Sequence, residues 1–360
     1  MFVVPKVKFG DVVKEVKNKI DRNNNPYEYY VAGDHMDSED LTIHRRGCFA
    51  TDDVGPAFIR EFRKGQVLYG SRRTYLKKVA VADFDGVTAN TTFVLETKDQ
   101  NVLLQELLPF IMLTDNFTKW SIGKSKGSTN PYILFSDLAD YEFDLPTIEE
   151  QRKLATVLWK MFRLKEGYVE LQHQSDQLVQ SQFIEMFGDI EDTGIFPRYE
   201  WNQVLNIING KDYKSVADDN GLYPVFGTGG LMARATSYIC PENIIVMGRK
   251  GTIDKPYIVA EKSWIVDTAF GVVPNTNIIR LLYLYWYCKQ IDYRKLNKAT
   301  TLPSTTKVDL LKLQINVPPL ELQDRFVAFV EQLDKSKFAA KQALENLERT
   351  QKSLMNRYLG

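Results

Sequence analysis

Two stretches of this chain place apolar residues at alternating three- and four-residue steps, the period of a helix with a narrow buried stripe. In the first the stripe is Leu154, Val157, Met161, Leu164, Tyr168, Leu171, Ser175 and Leu178; in the second it is Phe326, Phe329, Leu333, Ser336, Ala340, Ala343, Leu347 and Thr350. Each stretch predicts a helix of about 40 residues, or ~60 Å. The first opens on Thr147 and Glu150, the spacing of a capping box, and stops at Gly188. The second has Pro319 and Leu322 in those places and lacks the box. With no sheet pattern beside either stripe, the reading is that the two helices bury them against each other as a coiled coil.

The helices belong to an internal repeat. Sliding the chain by 172 residues lays Gly127–Gly188 over Ala299–Gly360 without a gap. Asp137-Leu138 meets Asp309-Leu310, Glu149 and Gln151 meet Glu321 and Gln323, and the alternation Tyr141, Phe143, Leu145 before Pro146 meets Leu313, Ile315, Val317 before Pro318. That alternation has the period of a half-buried strand. Ahead of each copy lie short β-patterned runs broken by Gly, Pro, Asn and Asp: "GQVLYG", "KKVAVADFDG" and "TTFVLE" in the first, "NIIVMG", "KPYIVAEKSWIVD" and "TAFGVV" in the second. Leucine-rich and aromatic helical runs follow, "LLQELLPFIML" and "LLYLYWYCK". Strands followed by helices predict α+β domains with mixed sheets. The predicted order is a globular domain at 1–146, a helix at 147–190, a second domain at 191–318 and a second helix at 319–360, related by a pseudo-twofold repeat.

Composition narrows the function mainly by exclusion. The 360 residues carry 46 basic and 46 acidic side chains, so any polyanion-binding surface must come from local segregation of charge. No apolar run reaches the ~18 residues of a membrane span, and the start "MFVVPKVKFGD" lacks the features of a secretion signal. A cytoplasmic protein is expected. Cys48, Cys240 and Cys288 are isolated, and His35, His44 and His173 form no ligand-like spacing, so neither a disulfide framework nor a metal site is expected.

Motifs of catalysis are incomplete. The two "NPY" stretches, Asn25–Tyr27 and Asn130–Tyr132, lack the second proline of an adenine-methyltransferase motif and read as turns. "GKS" at 123–125 has Thr118 where a phosphate loop needs glycine, and "FGTGG" at 226–230 is not a dinucleotide fingerprint. Glu15 and Lys17 find only Asp11 upstream, too close for a nuclease cluster.

Basic segregation does occur. "REFRKGQVLYGSRRTYLKK" (60–78) sets seven basic residues against Glu61, and "NFTKWSIGKSKG" (116–127) adds Lys119, Lys124 and Lys126 with no acid. "MGRKGT" and "YRKLNKATT" hold the corresponding places in the second half. Such clusters suit phosphates and base edges.

The chain resembles the specificity subunits of Type I restriction-modification systems. The resemblance is carried by "LPTIEEQRKLATVL…SQFIEMFGD", "VPPLELQDRFVAFVEQLD", "KGQVLYGSRRTYLKKVAVADFDGVTANTTFVLE" and "NIIVMGRKGTIDKPYIVAEKSWIVDTAF". It implies two target-recognition domains, each reading half of a split site on double-stranded DNA, held apart by an antiparallel pair of helices that acts as a ruler. It implies that methylation and cleavage reside in partners: two modification subunits and the restriction translocase, which bring S-adenosylmethionine, ATP and Mg, with no cofactor on this chain. The DNA contacts expected are Arg72, Arg73, Tyr75 and Lys77, then Lys124, Lys126, Ser128 and Thr129, in the first domain. In the second they are Arg249, Lys250 and Thr252, then Lys298, Thr300 and Thr301. Leu154, Val157, Met161, Leu164, Leu171, Leu178, Phe326, Phe329, Leu333 and Leu347 are the expected helix-pair interface, and Trp159, Phe162 and Phe338 the expected docking residues for the modification subunits. The unlike domains imply a non-palindromic target. The rival readings are a protein-binding coiled-coil scaffold and a self-sufficient DNA enzyme.

Overall fold

The computed structural model describes residues 5–191, 194–296 and 304–360. The chain forms two compact units: Met1–Tyr168 with Lys341–Gly360, and Val169–Ala340. The division runs through both long helices rather than between them and the sheet domains.

In the first unit, strand Val13–Glu15 pairs with Thr92–Thr97, which pairs with Val67–Gly70, which pairs with Val79–Val81, all antiparallel. Side chains alternate between the two faces of a strand, so Val67, Tyr69, Val79, Phe93 and Leu95 enter one core and Leu68, Ala80 and Val94 another. The sheet is therefore buried on both sides. A second four-stranded sheet, ordered Gly47–Cys48, Tyr29–Val31, Gly86–Ala89, Phe58–Phe62, is mixed: its central pair is parallel. Helices Leu108–Met112 and Asp115–Lys124 follow, the second capped by the Thr114 hydroxyl.

The second unit repeats the first ladder. Leu205–Asn209, Ala269–Pro274, Ile244–Gly248 and Tyr257–Val259 lie in that order, all antiparallel. Ile207, Ile245, Met247, Phe270 and Val272 face one core and Ile244, Val246 and Ala269 the other. Its companion sheet differs, with three strands among the described residues, ordered Gly230–Ala235, Tyr223–Gly227, Trp264–Ile265.

The repeat holds down to single hydrogen bonds. Short helices Phe135–Ala139 and Lys307–Leu311 stand 172 residues apart. The strand after each, Glu142–Asp144 or Gln314–Asn316, pairs with the first strand of its own unit, Lys6–Lys8 or Arg198–Glu200. Phe9 N donates to Tyr141 O at 2.7 Å, and Trp201 N to Leu313 O at 2.9 Å. Each long helix then begins with a fully buried glutamine. Gln151 Nε2 donates to Val102 O (2.8 Å) and Pro146 O (2.9 Å), and its Oε1 accepts from Leu104 N (3.0 Å). Gln323 does the same with Ile278 O (3.1 Å), Pro318 O (2.8 Å) and Arg280 N (2.8 Å). A buried amide that satisfies three backbone groups fixes where the helix leaves the domain.

The long helices run Ile148–Phe187 and Leu320–Tyr358. The first starts in the predicted capping box: Glu150 Oε2 accepts from Thr147 N at 3.0 Å, and Thr147 Oγ1 accepts from Glu150 N at 3.4 Å. The second, without the box, is tied by Arg280, whose Nε and Nη2 reach the two Asp324 oxygens at 2.5 and 3.1 Å. Within each unit the helices pair antiparallel, residue numbers falling on one as they rise on the other. In the first, Ala155, Leu158 and Phe162 share a core with Met355 and Leu359, and Lys165 meets Glu348 at 3.0 Å. In the second, Phe183 and Phe187 lie 5.4 and 5.5 Å from the Phe326 ring, and Lys337 meets Asp176 at 2.6 Å.

The seam differs from the predicted stripe. Met161 and Phe326 are buried, Leu154, Phe329 and Leu333 are partly buried against the cores, and Leu347 is half-buried. Val157, Leu164, Leu171 and Leu178 are instead 44–55% exposed. The buried face of the first helix keeps Met161 and Ser175 of that stripe but otherwise lies one position further along, at Ala155, Leu158, Phe162 and Val179, with Gln151, Phe183 and Phe187 buried beyond its ends. Gln151 selects it, because its amide must point into the first domain and the turns after it follow. Of the expected docking residues, Phe338 is exposed, but Phe162 is buried, and Trp159 packs edge-on against Phe110 and donates Nε1–H to Glu106 O.

Candidate nucleic-acid interface

In the first unit the two basic segments predicted from sequence lie side by side. Strand Val67–Gly70 ends in Ser71, whose N–H and hydroxyl both donate to Thr91 O (3.1 and 2.6 Å) and whose carbonyl accepts from Ile133 N (2.9 Å). Arg73 N donates to Pro131 O at 2.7 Å, Lys126 and Tyr132 exchange backbone bonds at 2.8 and 2.9 Å, and Thr74 Oγ1 meets Ser125 Oγ at 3.2 Å. The turn at Asn130-Pro131 thus holds the 71–77 loop against the 124–132 loop. Arg73 (φ 50°) and Lys77 (φ 48°), at the two ends of the short helical turn Thr74–Leu76, are both left-handed. Side chains rarely adopt that conformation, and here it turns Arg73 outward.

Arg72, Arg73, Tyr75, Lys124, Lys126, Ser128 and Thr129 are all exposed. The Arg72 guanidinium stands 5.9 Å above the Tyr132 ring and the Lys124 ammonium 4.9 Å above that of Trp120. Lys126 also reaches Asp137 at 3.0 Å. Lys77 is placed differently from the other predicted contacts. Its side chain is only 17% exposed, paired with Glu39 and 3.9 Å from Asp115. Burial pushes the Asp115 carboxyl up, yet Lys352, Asn356 and the Lys77 charge hold it below the usual carboxylate range. Lys77 therefore fastens the base of the loop. Tyr132 was missed as a site residue; its signal was the "NPY" stretch, read only as a turn.

The second unit builds a matching corner from other residues. Thr305 N donates to Arg249 O at 3.0 Å, the bond that Ile133 makes to Ser71. Lys250 bridges to Ser304 as Arg72 does to Tyr132. Arg249 N and Lys250 N both donate to Thr268 O (2.8 and 3.2 Å), and the buried Thr305 hydroxyl donates to Gly248 O at 2.9 Å. A side chain at Gly248 would stand 1.9 Å from Thr252 O, so the loop can close only on glycine. Arg249, Lys250 and Thr252 are exposed. Lys298, Thr300 and Thr301 lie outside the described residues. Exposed Leu231 and Met232, beside the Thr228-Gly229 hairpin turn, had no sequence signal beyond the glycines.

Each corner presents arginine or lysine with hydroxyl side chains, a set that can neutralise phosphates and donate to guanine or adenine edges. No constellation of nucleophile and base accompanies either corner among the described residues.

Comparison with known proteins decides the family. The sequence matches the family described as Type I restriction modification DNA specificity domain twice, over residues 5–170 and 198–349. The chain belongs to this family. It is similar to the EcoDI specificity subunit of Escherichia coli (27% identical over 154 residues, 42% of this chain and 33% of the relative) and to the HindI specificity subunit of Haemophilus influenzae (22% over 187 residues, 51% and 40%). These matches span between a third and two-fifths of the length of those relatives. In fold it is similar to the S subunit of a Type-I restriction-modification system from M. genitalium (TM-score 0.63, 15% identity, 98% of this chain and 95% of that one). It is also similar to a chain solved in a study of complex assembly and conformational transition of the type I R-M system (TM-score 0.55, 21% identity, 100% and 99%). The family match falls once on each half, as the repeat requires. No helix among the described residues is long and apolar enough to cross a membrane.

Proposed function

We propose that this chain is the non-catalytic specificity subunit of a Type I restriction-modification complex, a cytoplasmic protein that reads a split, non-palindromic site on double-stranded DNA. The observation that carries this reading is the pair of matched exposed corners, Arg72 beside Tyr132 and Lys250 beside Ser304, one in each repeat of a DNA specificity family. Equal backbone placement with unequal side chains suits two readers of different half-sites. Methylation and cleavage are the work of modification and restriction subunits, which bring S-adenosylmethionine, ATP and Mg. Two modification subunits dock along the long helices, through the exposed apolar residues that the seam leaves out, Val157 and Leu164 in the first unit and Leu171, Leu178 and Phe338 in the second.

The test uses the assembled methyltransferase. The Arg72→Ala/Arg73→Ala variant is expected to lose site-specific DNA binding while subunit assembly, followed by gel filtration, is retained. Unchanged binding at moderate salt would remove these arginines from the interface. A pure protein scaffold predicts no salt-dependent DNA affinity, whereas phosphate contacts make affinity fall steeply with salt.

A further inference from the structure

Asp40, His44 and Glu166 meet in the first unit although the sequence sets Glu166 far from the other two. One donor atom from each lies within 4.8 Å of the others. Asp40 and His44 come from the loop after Met36, four residues apart, with His44 Nε2 3.1 Å from Asp40 Oδ2; Glu166 lies on the first long helix, in the last turn before the unit boundary at Tyr168. The donor set is mixed, one imidazole nitrogen with two carboxylates, which distinguishes it from an ordinary patch of surface acids. No lysine or arginine among the described residues pairs with Asp40 or Glu166. The cations adjoining these residues in sequence are engaged elsewhere: Lys165 with Glu348, Arg45 with Asp37, and Arg46 over the Tyr29 ring. Two carboxylates are thus brought together with no lysine or arginine beside them, only the His44 imidazole, and Asp40 keeps only 27% of its side-chain exposure.

Thr42 orients both acids. Its N–H donates to Asp40 Oδ1 at 2.9 Å, leaving Oδ2 toward His44, and its hydroxyl donates to Glu166 Oε1. Groups of this kind, which hold ligating carboxylates from behind, are the usual surroundings of a metal ion.

We propose that Asp40, His44 and Glu166 bind a divalent transition-metal cation, zinc by preference, that staples the 37–45 loop to the first long helix. Hard cations such as Mg²⁺ and Ca²⁺ take oxygen ligands, so the imidazole favours zinc, for which three protein ligands and one water complete a tetrahedron. The ion supplies positive charge to two carboxylates that no lysine or arginine pairs with and closes the loop over the helix without further apolar burial.

The experiment needs neither DNA nor partner subunits, so its failure is distinguishable from failure of the proposed function. Untagged full-length chain, freed of metal by chelator, is titrated with zinc chloride by calorimetry and separately with cobalt(II) by visible spectroscopy. One equivalent of zinc is expected to bind, with cobalt giving the intense bands of a four-coordinate site. His44→Ala and Glu166→Gln should each weaken binding at least ~10-fold and Thr42→Val by ~10-fold, while His173→Ala on the second unit leaves it unchanged. Absence of saturable binding, or its survival in the His44→Ala/Glu166→Gln double variant, overturns the site. The cobalt spectrum is read on the unaltered chain, so misfolding of a variant cannot mask the result; the weak bands of a six-coordinate hydrated ion also overturn it.

Discussion

Gln151 in the first unit and Gln323 in the second make the same three hydrogen bonds to different loops, and both are completely buried. At the strand ends the units diverge: Ser71, Arg72 and Tyr132 occupy the positions of Arg249, Lys250 and Ser304. The companion sheets diverge too, four strands against three. At the buried glutamines the repeat keeps both geometry and chemistry; at the exposed corners it keeps geometry alone. Under the proposed function, each unit can change what it recognises without changing how it is mounted.

The sharpest way to break this comparison is through the seam. Phe183→Ala removes a ring packed 5.3 Å from Tyr283 and 5.4 Å from Phe326 and should cost about 3–5 kcal/mol. Phe162→Ala in the first unit should cost a similar amount, whereas Leu164→Ala and Leu171→Ala should each stay within about 0.5 kcal/mol. Urea unfolding of the full chain measures all four; equal effects at exposed and buried positions would return the seam to the predicted stripe. Next come the glutamines. Gln151→Leu and Gln323→Leu each strand one backbone N–H and two carbonyls in the interior and should each cost about 2–3 kcal/mol. A large loss from one and none from the other would show that the two mountings are not equivalent. Smaller again, Arg72→Ala and Lys250→Ala should each lower the slope of log affinity against log salt by about 1 in the assembled complex. An effect confined to one would separate the two corners.

The smallest effect is on the helix starts. Hydrogen bonds from the Thr147 hydroxyl and then its backbone N–H hold the Glu150 carboxyl below its ordinary range, and the Arg280 hydrogen bonds do the same for Asp324. A carboxyl whose native pKa is lowered adds stability that is fully present above its unfolded value, about 4, and lost as pH falls through the native one. Thermal melts from pH 6 to pH 3 should therefore fall less steeply in Glu150→Gln and Asp324→Asn than in the unaltered chain.

The repeat, the strand runs and the helix limits were legible in the sequence because each depends on local punctuation: a capping box, an alternation, a proline or a glycine. The 172-residue offset even aligned Gln151 with Gln323, although only the structure shows why a polar residue recurs there. Much of the first helix's seam was misread by one position because Val157 and the leucines at 164, 171 and 178 have the same three- and four-residue spacing as the true face. What selects between them is a buried glutamine and an alanine, which hydrophobicity does not count. In the candidate interface, the two basic segments of the first unit were found separately, but their adjacency rests on backbone bonds from Tyr132 and Pro131, which no local pattern reveals. Lys77 could not be told from its neighbours, since its partners Glu39 and Asp115 are distant in sequence. Asp40, His44 and Glu166 were invisible for the same reason.

The first unit is built from two lengths of chain separated by the whole of the second, and its core includes Met355 and Leu359, with Asn356 bonded to Asp115. During synthesis the ribosome makes 169–340 between those two lengths, ~9–34 s of elongation at about 5–20 residues per second. For that interval the core that Phe110, Leu158 and Phe162 share with Met355 and Leu359 stays incomplete, so 341–360 are the segment whose arrival closes the first unit.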